Sequence, residues 1–422
     1  MRFNCKALTF SQALNSFQHP KTISQLATGH YHRHKTMAQT LPKLADWEQI
    51  STNVIRVMGA NPSKFTLQGT NTYILGSGPR RLLLDTAQGE KAWLDNITSA
   101  LSSQAQSPVI STAILTHWHH DHIGGVKDLE SRFPDVKVYK HLPNHDPDGL
   151  LDPSRVIDIQ DGQVFKIEGT DSESDVEIQA IHSPGHAKDH MAFVITSSPD
   201  ADEIGAIFTA DNVLGHGTAV FEDLALYLDS LAVMKRKVQD QISAQQKSWT
   251  DGSPMANVDG IKKRAFPGHG AVIEDAVSKI DEYVSHRRMR EVEALNVLKY
   301  GTTKSPESPF GNNPGNISSS STSSKKTPRA APDSLTIVGS SESEESDVDS
   351  QAAAIAGVAK EATPGKEWTS LEMVKVIYRH YPENLYQPAE YGLIMVLEKL
   401  KKDGKVVKTG EGKWRACEKA TL

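Results

Sequence analysis

The chain is short of cysteine, of long apolar runs and of aromatic residues, and each shortage removes a class of protein. Two cysteines occur, Cys5 and Cys417, at opposite ends of 422 residues. A disulfide framework and a cysteine-ligated zinc site are thereby excluded. No apolar run reaches the roughly 18 residues that a membrane-spanning helix needs. Hydrophobic residues make up 38% and aromatics 6%. That is lean for a compact chain of this length, so part of it should lie outside any packed core. The net charge of -6 excludes a basic nucleic-acid binder as a description of the whole chain. Against these shortages stand 17 histidines, and their placement carries most of the chemical information.

Four regions differ in texture. Residues 1–43 read as a disordered extension. It has no Asp or Glu up to about residue 36 and carries Arg2, Lys6, Lys21, Arg33 and Lys35 among hydroxyl and amide residues. That composition suits a mitochondrial transit peptide and equally an untargeted tail, so a mitochondrial matrix and a cytoplasmic location stand level. Met37 is an alternative start.

Residues 44–300 read as the main folded domain. Strands are expected at 54–57, 72–75, 81–85, 113–116, 136–139, 176–182, 192–196 and 206–209, with a hairpin turn at Gly76–Pro79. Helices are expected at 91–101, 224–241 and 271–298. Strands first, with helices interspersed, suggest layered sheets covered by helices, an α/β architecture. Residues 301–364, rich in Ser, Gly, Asn and Pro with an acidic run at 340–350, read as a disordered linker. Residues 365–418 regain order. Thr369-Ser370-Leu371-Glu372 is a capping box, opening a helix with Leu371, Val374, Ile377 and Tyr378 on one face. A second helix carries Leu393, Val396, Leu397 and Leu400. A glycine-separated strand pair follows, so the segment reads as a winged helix.

The densest chemical signal is Thr116-His117-Trp118-His119-His120-Asp121-His122-Ile123-Gly124-Gly125. It follows a strand, and a turn there brings His117 and His119 to one point and Asp121 and His122 to another. Imidazole and carboxylate in that arrangement suit two adjacent zinc ions. Gly124-Gly125 lets the backbone turn closely beneath them. His186 in Pro-Gly-His, Asp211 after Ala210, and His269 in Pro-Gly-His-Gly each follow a further strand. Ligand types on loops at strand ends are the expected placement for function.

These motifs resemble the metallo-β-lactamase superfamily, and within it the β-lactamase-like protein 2 family, a mitochondrial single-strand endoribonuclease in animals. The carrying segments include Thr66–Tyr73, Thr116–Gly125, Ser183–Met191, Gly215–Leu224, Ile280–Glu291 and Pro382–Leu385. The resemblance spans residues 44–300 and 366–415. The extension, the linker and an insertion near 244–262 depart from it. It implies a four-layer αβ/βα sandwich with a small C-terminal winged helix, and two Zn2+ per chain. His117, His119 and His186 would hold one zinc, and Asp121, His122 and His269 the other. Asp211 would bridge them. Asp121 and Asp211 would be the catalytic carboxylates, orienting a hydroxide shared by the two metals.

Other candidates carry two readings each. Asp85 is either a turn cap or an acceptor behind a metal-bound imidazole. His190 either contacts substrate or is structural. Gln68 and Asn71 sit on a Gly-containing hairpin that flanks the site in the resembled family, and either contact substrate or shape the turn.

The resemblance implies cleavage of single-stranded RNA. The C-terminal segment supports it modestly, with 11 Lys or Arg against 8 Asp or Glu in residues 366–422. The alternative is a thioesterase that releases acyl or polyketide chains from an acyl carrier protein, as similar fungal proteins do, or that cleaves glutathione-type thioesters. The expected partners are accordingly single-stranded RNA or an acyl-thioester substrate, with no membrane and with a homo-oligomer left open.

Overall fold

The computed structural model describes residues 41–249, 261–305 and 366–417. The extension up to residue 40, with its targeting expectation, lies outside the described residues. So do 250–260 of the insertion and the Ser-rich stretch 306–365.

Two sheets stack face to face. The first has seven strands in sequence order: β1 (Trp47–Ser51), β2 (Val54–Met58), β3 (Asn71–Leu75), β4 (Arg80–Leu84), β5 (Val109–Leu115), β6 (Lys137–Lys140) and β7 (Val156–Asp158). Strands β1 to β4 pair antiparallel, and β4 to β7 pair parallel. The second sheet has β8 (Val164–Ile167), β9 (Val176–His182), β10 (Met191–Ser197), β11 (Ile207–Ala210) and β12 (Ala265–Pro267), in the order β12-β11-β10-β9-β8.

Side-chain alternation explains why the strands are apolar throughout. Leu82 and Leu84 of β4 enter the core between the sheets with Tyr73, Phe193, Phe208 and Phe266. Leu83, between them, enters a separate core with Trp93, Ile97 and Leu101 of helix α1 (Lys91–Ser102). On β10, Phe193 and Ile195 face the inter-sheet core. Ala192 and Val194 face outward to Leu231 and Met234 of helix α4 (Leu224–Trp249) and Ile280 of helix α5 (Ala276–Tyr300). Strands buried on both faces cannot show the polar alternation of a half-exposed sheet. The result is the expected helix–sheet–sheet–helix sandwich of α/β class.

Two helix boundaries differ from expectation. Helix α5 starts at Ala276, not 271, because Ile273 still pairs with Ala265 and Asp275 caps the helix by accepting from Ser278 N–H at 3.0 Å. Helix α4 continues to Trp249. Strands β1, β7 and β8 escaped the sequence reading, being short and edge-placed or polar on one face.

The C-terminal module pairs β13 (Val406–Lys408) with β14 (Trp414–Ala416), beside helices α6 (Ser370–Ile377) and α7 (Tyr386–Lys402). The capping box forms as expected at Thr369 and Glu372. Leu371 is a correction. It is 40% exposed, and the eight-residue helix buries Met373 in its place beside the expected Val374. Trp368, Leu397 and Trp414 share one apolar cluster with Leu295 and Leu298 of α5. Lys399 meets Glu291 and Lys402 meets Asp223, at 2.7 and 2.6 Å. Among the described residues no helix is long and apolar enough to cross a membrane.

Candidate metal centre

The site gathers at the ends of β4, β5, β9, β11 and β12. Strand β5 delivers Thr116 and His117, after which helices α2 (His120–Ile123) and α3 (Val126–Arg132) begin. The chain turns sharply there. At Gly125 a Cβ would meet Thr86 O at 2.1 Å and the Trp93 ring at 2.6 Å. The glycine pair thus seats the turn against the 86–88 loop. His186 follows β9, Asp211 follows β11 and His269 follows β12. Gly268 leaves room where it is needed most, since a Cβ there would lie 2.2 Å from Asp211 Oδ1. Two non-glycine residues at the site take left-handed backbone, Asp85 at φ 62° and Ala210 at φ 42°. Strain of this kind persists where surrounding structure enforces a functional geometry.

All seven expected side chains converge. His117 Nε2, His119 Nδ1 and His186 Nε2 lie 2.9 to 3.3 Å from one another. His269 Nε2 is 3.2 Å from Asp121 Oδ2, and His122 Nε2 is 3.6 Å from it. Asp211 lies between the two groups, 3.3 Å from His269, 3.4 Å from His122 and 3.6 Å from His186. His/Asp groups of this kind can hold metal ions.

The outer ring nitrogens fix the direction of the inner ones. His186 Nδ1 donates to Val220 O at 2.7 Å, and His122 Nδ1 to Asp85 Oδ2 at 2.8 Å. His269 Nδ1 faces Gly69 O at 3.4 Å. Thr116 Oγ1 donates its one proton to Asp85 Oδ2 at 2.9 Å, so it accepts from His117 Nδ1 at 3.0 Å. At His117 and His186 the proton therefore sits outside and the Nε2 lone pair points inward. His117 and His186 then face each other lone pair to lone pair at 3.3 Å, an arrangement that a cation between them would stabilise. Buried His122 Nε2 and Asp211 Oδ1 face each other at 3.4 Å, and neither makes a further hydrogen bond among the described residues. The donor set therefore fits a metal, with the outer contacts typical of metal-bound imidazole.

Electrostatics point the same way. Burial, together with neighbouring imidazoles, holds His117 well below the ordinary histidine range and His119 at about 3. Burial also lowers His186. These three are neutral lone-pair donors at neutral pH. At His269 burial opposes the charged form, but Asp211 and Asp121 outweigh it and raise the group to about 9. His122 is raised likewise, against its burial, by Asp211, Asp121 and Asp85. Asp121 and Asp211 are depressed despite burial, chiefly by His122 and His269. The carboxylates demand positive charge, supplied here by protons that a bound cation would displace.

The softer candidates separate. Asp85 accepts from Thr116 N–H at 2.8 Å as well as from Thr116 Oγ1 and His122, so it sits directly behind the cluster. His190 is fully buried and has no nitrogen left for substrate. Its Nε2 accepts from Asp211 N–H at 3.3 Å, and its Nδ1 meets Ser183 Oγ at 2.9 Å. Asn71 is 1% exposed and donates to Pro267 O and Gly270 O, clamping the His269 loop. Gln68 reaches away to Pro42 O at 2.9 Å. Of the two readings given for His190, Asn71 and Gln68, these contacts are the structural one.

The sequence reading missed three contributors. Thr116 links Asp85 to His117. Tyr73 donates to Pro267 O at 2.7 Å, beside Asn71. Lys140, fully buried, pairs with fully buried Asp189 in the loop carrying His186, and donates to the carbonyls of His141, Leu142 and His145 at 2.9 to 3.2 Å. The only sequence signal for that pair was a lysine at the end of an apolar strand.

Residues 65–201 match the family model "Metallo-beta-lactamase superfamily", and residues 369–414 match "Beta-lactamase associated winged helix domain". Atrochrysone carboxyl ACP thioesterase AgnL7 of Paecilomyces divaricatus is 43% identical over 265 residues, 62% of this chain and 70% of that protein. Atrochrysone carboxyl ACP thioesterase AacuM of Aspergillus aculeatus is 42% identical with the same coverage. Lactamase-like protein ptaB of Pestalotiopsis fici is 41% identical over 262 residues, 62% of this chain and 69% of that one. A beta-lactamase domain protein from Burkholderia ambifaria shares the fold at a TM-score of 0.56 and 15% identity, covering 90% of this chain and 96% of that chain. With this sandwich, this donor set and relatives matched over more than two thirds of their length, the chain belongs to the metallo-beta-lactamase superfamily of hydrolases.

Proposed function

We propose that the protein is a thioesterase that uses two zinc ions to release an acyl group from an acyl carrier protein. The observation that carries the substrate class is the 43% identity, over 265 residues, to a protein named as an ACP thioesterase. The same reading accounts for the lysines of the C-terminal module. Lys399 and Lys402 pair with the core, while Lys401, Lys405 and Lys408 meet Glu398 or Asp403. Five of the 11 basic residues that favoured RNA contact in the sequence thus pair with carboxylates of the protein itself.

In this reading His117, His119 and His186 hold one zinc, and Asp121, His122 and His269 the other, with Asp211 between them. When bound, the two ions supply Lewis acidity that lowers the pKa of a water and polarises the thioester carbonyl. The protein's own groups do the positioning. Asp85 and Thr116 keep the proton of His122 and His117 on Nδ1, so both rings present Nε2. His190 holds the backbone of Asp211. Asp121, with a side chain 25% exposed, stands at the open edge of the cluster and accepts a proton from the attacking water at its other carboxylate oxygen, Oδ2 being turned to His122 and His269. A carbon–oxygen bond forms and the carbon–sulfur bond breaks. One water proton ends on the leaving thiol and the other dissociates from the acid product.

The test is a pair of substrates. An acyl thioester of the carrier protein and a labelled single-stranded RNA are each incubated with wild type and Asp121→Ala, with and without chelator. Thioester cleavage by wild type alone, abolished by chelator, is expected. RNA cleavage without thioester turnover overturns the proposal.

A further inference from the structure

A cavity of about 280 Å³ lies at the end of the first sheet away from the metal centre. The β1–β2 hairpin contributes Ser51 and Thr52 to it, and the β3–β4 turn contributes Ser77. Arg81 comes from β4 and Gln104 from the segment after α1. Arg81 stands near the start of β4, whereas Asp85 follows its end, about 13 Å further along the strand. The cavity is therefore separate from the metal cluster.

Its chemistry is one-sided. Arg81 is 5% exposed. Burial lowers its pKa from the ordinary arginine value, and no carboxylate opposes that shift. Among the described residues the guanidinium makes a single hydrogen bond, from Nη2 to Ser77 O at 3.0 Å, which leaves its other N–H donors unused. Buried Arg81 Nε, Ser51 Oγ and Ser77 Oγ have no hydrogen-bond partner among the described residues. No Asp or Glu lines the cavity. Thr52 Oγ1 donates at 2.6 Å to Asp200, which lies outside the lining. Gln49 Nε2 donates to Ser51 O and Thr52 O at 2.7 and 3.1 Å and so fixes the turn that carries Ser51.

A guanidinium taken out of water is costly unless an anion and hydrogen bonds compensate it. Arg56 of β2 shows the usual solution, being 2% exposed and paired with Glu48 at 2.7 Å. Arg81 has no such partner from the chain, so its complement is an anionic ligand. A carboxylate presents two oxygens, whereas a phosphoryl group presents three strong acceptors and meets a guanidinium in parallel hydrogen bonds. Three acceptors match Arg81 Nε and the two serine hydroxyls. The volume falls just below the roughly 300–1,000 Å³ of drug-sized ligand sites, which suits phosphate or a phosphomonoester of few atoms.

We infer that this cavity binds a phosphoryl group, free or at the end of a small metabolite, through Arg81, Ser51 and Ser77. The inference is independent of the thioesterase reading. A ligand there joins the β1–β2 hairpin to the β3–β4 turn far from the metals, so it acts on the stability of the core and is not a substrate.

The test is calorimetric titration of inorganic phosphate, glycerol 3-phosphate and malonate into the zinc-loaded full chain, with melting temperature followed in parallel. Wild type is expected to bind phosphate or the ester more tightly than malonate, and to melt higher with it. Arg81→Gln should weaken that binding by about tenfold or more. Arg81→Lys, which keeps the charge but loses the planar fork, should weaken it as well. Ser77→Ala keeps the guanidinium and should also bind more weakly, so it decides the matter if the Arg81 variants do not fold. Phosphate also binds zinc, and heat that persists in Arg81→Gln but disappears with chelator belongs to the metal centre. Preference for the ester identifies a metabolite as the ligand, and preference for phosphate identifies the free ion. Phosphate and ester heat confined to the metal-centre component overturns the inference. Binding unchanged in Arg81→Gln and Ser77→Ala, or malonate bound as tightly as phosphate, overturns it too.

Discussion

The inner nitrogens of the cluster owe their direction to what the outer ones touch. Asp85 is the hinge of that arrangement, since it takes the Nδ1 proton of His122 and both donors of Thr116, which in turn orients His117. Asp85→Asn should leave the fold intact and weaken metal binding by about 10- to 100-fold, read by competition with a chromophoric chelator. Unchanged affinity would show that the rings are directed by something else. Gly268→Ala places a methyl 2.2 Å from Asp211 Oδ1. Loss of metal uptake with a near-native circular dichroism spectrum is expected, and full uptake would refute the close packing. The seven candidate ligands were legible because His and Asp at strand ends have few other reasons to cluster. Asp85 was legible only as an alternative. Thr116 and Tyr73 were not, because a hydroxyl in or just after a strand carries no signature of its partner. His190 and Asn71 were legible only as two alternatives for the same reason: spacing brought them near the site but could not tell which way their polar atoms point.

At the scale of elements, the cluster depends on how the end of one sheet is tied to the loops of the other. Lys140 closes β6 in the first sheet, and Asp189 belongs to the loop between β9 and β10 in the second. Both are fully buried. Burial pushes the Asp189 carboxyl up from its ordinary range, against the pull of Lys140. Removing one partner leaves an uncompensated buried charge. Lys140→Met should lower stability by about 3–5 kcal/mol in a denaturant titration. The double variant Lys140→Met/Asp189→Leu should recover most of that loss, because a pair of apolar side chains of similar volume costs little. No recovery would mean that Lys140 acts mainly through its three carbonyl contacts. Element types were readable from periodicity and turn residues. Element ends were less so. The start of α5 depended on Ile273 pairing back to Ala265, a contact between residues whose sequence pattern also suits a helix.

At the scale of the whole molecule, the core and the C-terminal module share an apolar cluster, and titratable groups sit where they meet. Burial, with Arg287 and Arg290 beside it, lowers His286 to about 4. Its folded-state pKa lies below the unfolded value of about 6.5. The neutral ring's contribution is therefore present above pH about 6.5 and is lost as pH falls towards 4. Asp223 is also depressed, despite partial burial, by Lys402 and by the Leu226 and Ala225 amides. Its contribution is likewise lost on acidification. The melting temperature should fall as pH drops through this window, and His286→Gln should flatten the upper part of that slope. A variant with the wild-type slope would remove His286 from the account. The four-layer fold and the winged helix could be read from the sequence. The packing of the module on the core could not, because the shared cluster joins Leu295 and Leu298 to Trp368 and Trp414 across the Ser-rich stretch. The central claim is that these seven side chains assemble a two-zinc thioesterase, and it is met most directly by titrating zinc into chelator-treated protein while following acyl-carrier thioester cleavage. The account predicts no turnover without metal and full turnover at two zinc ions per chain. Full turnover by the metal-free protein would contradict it.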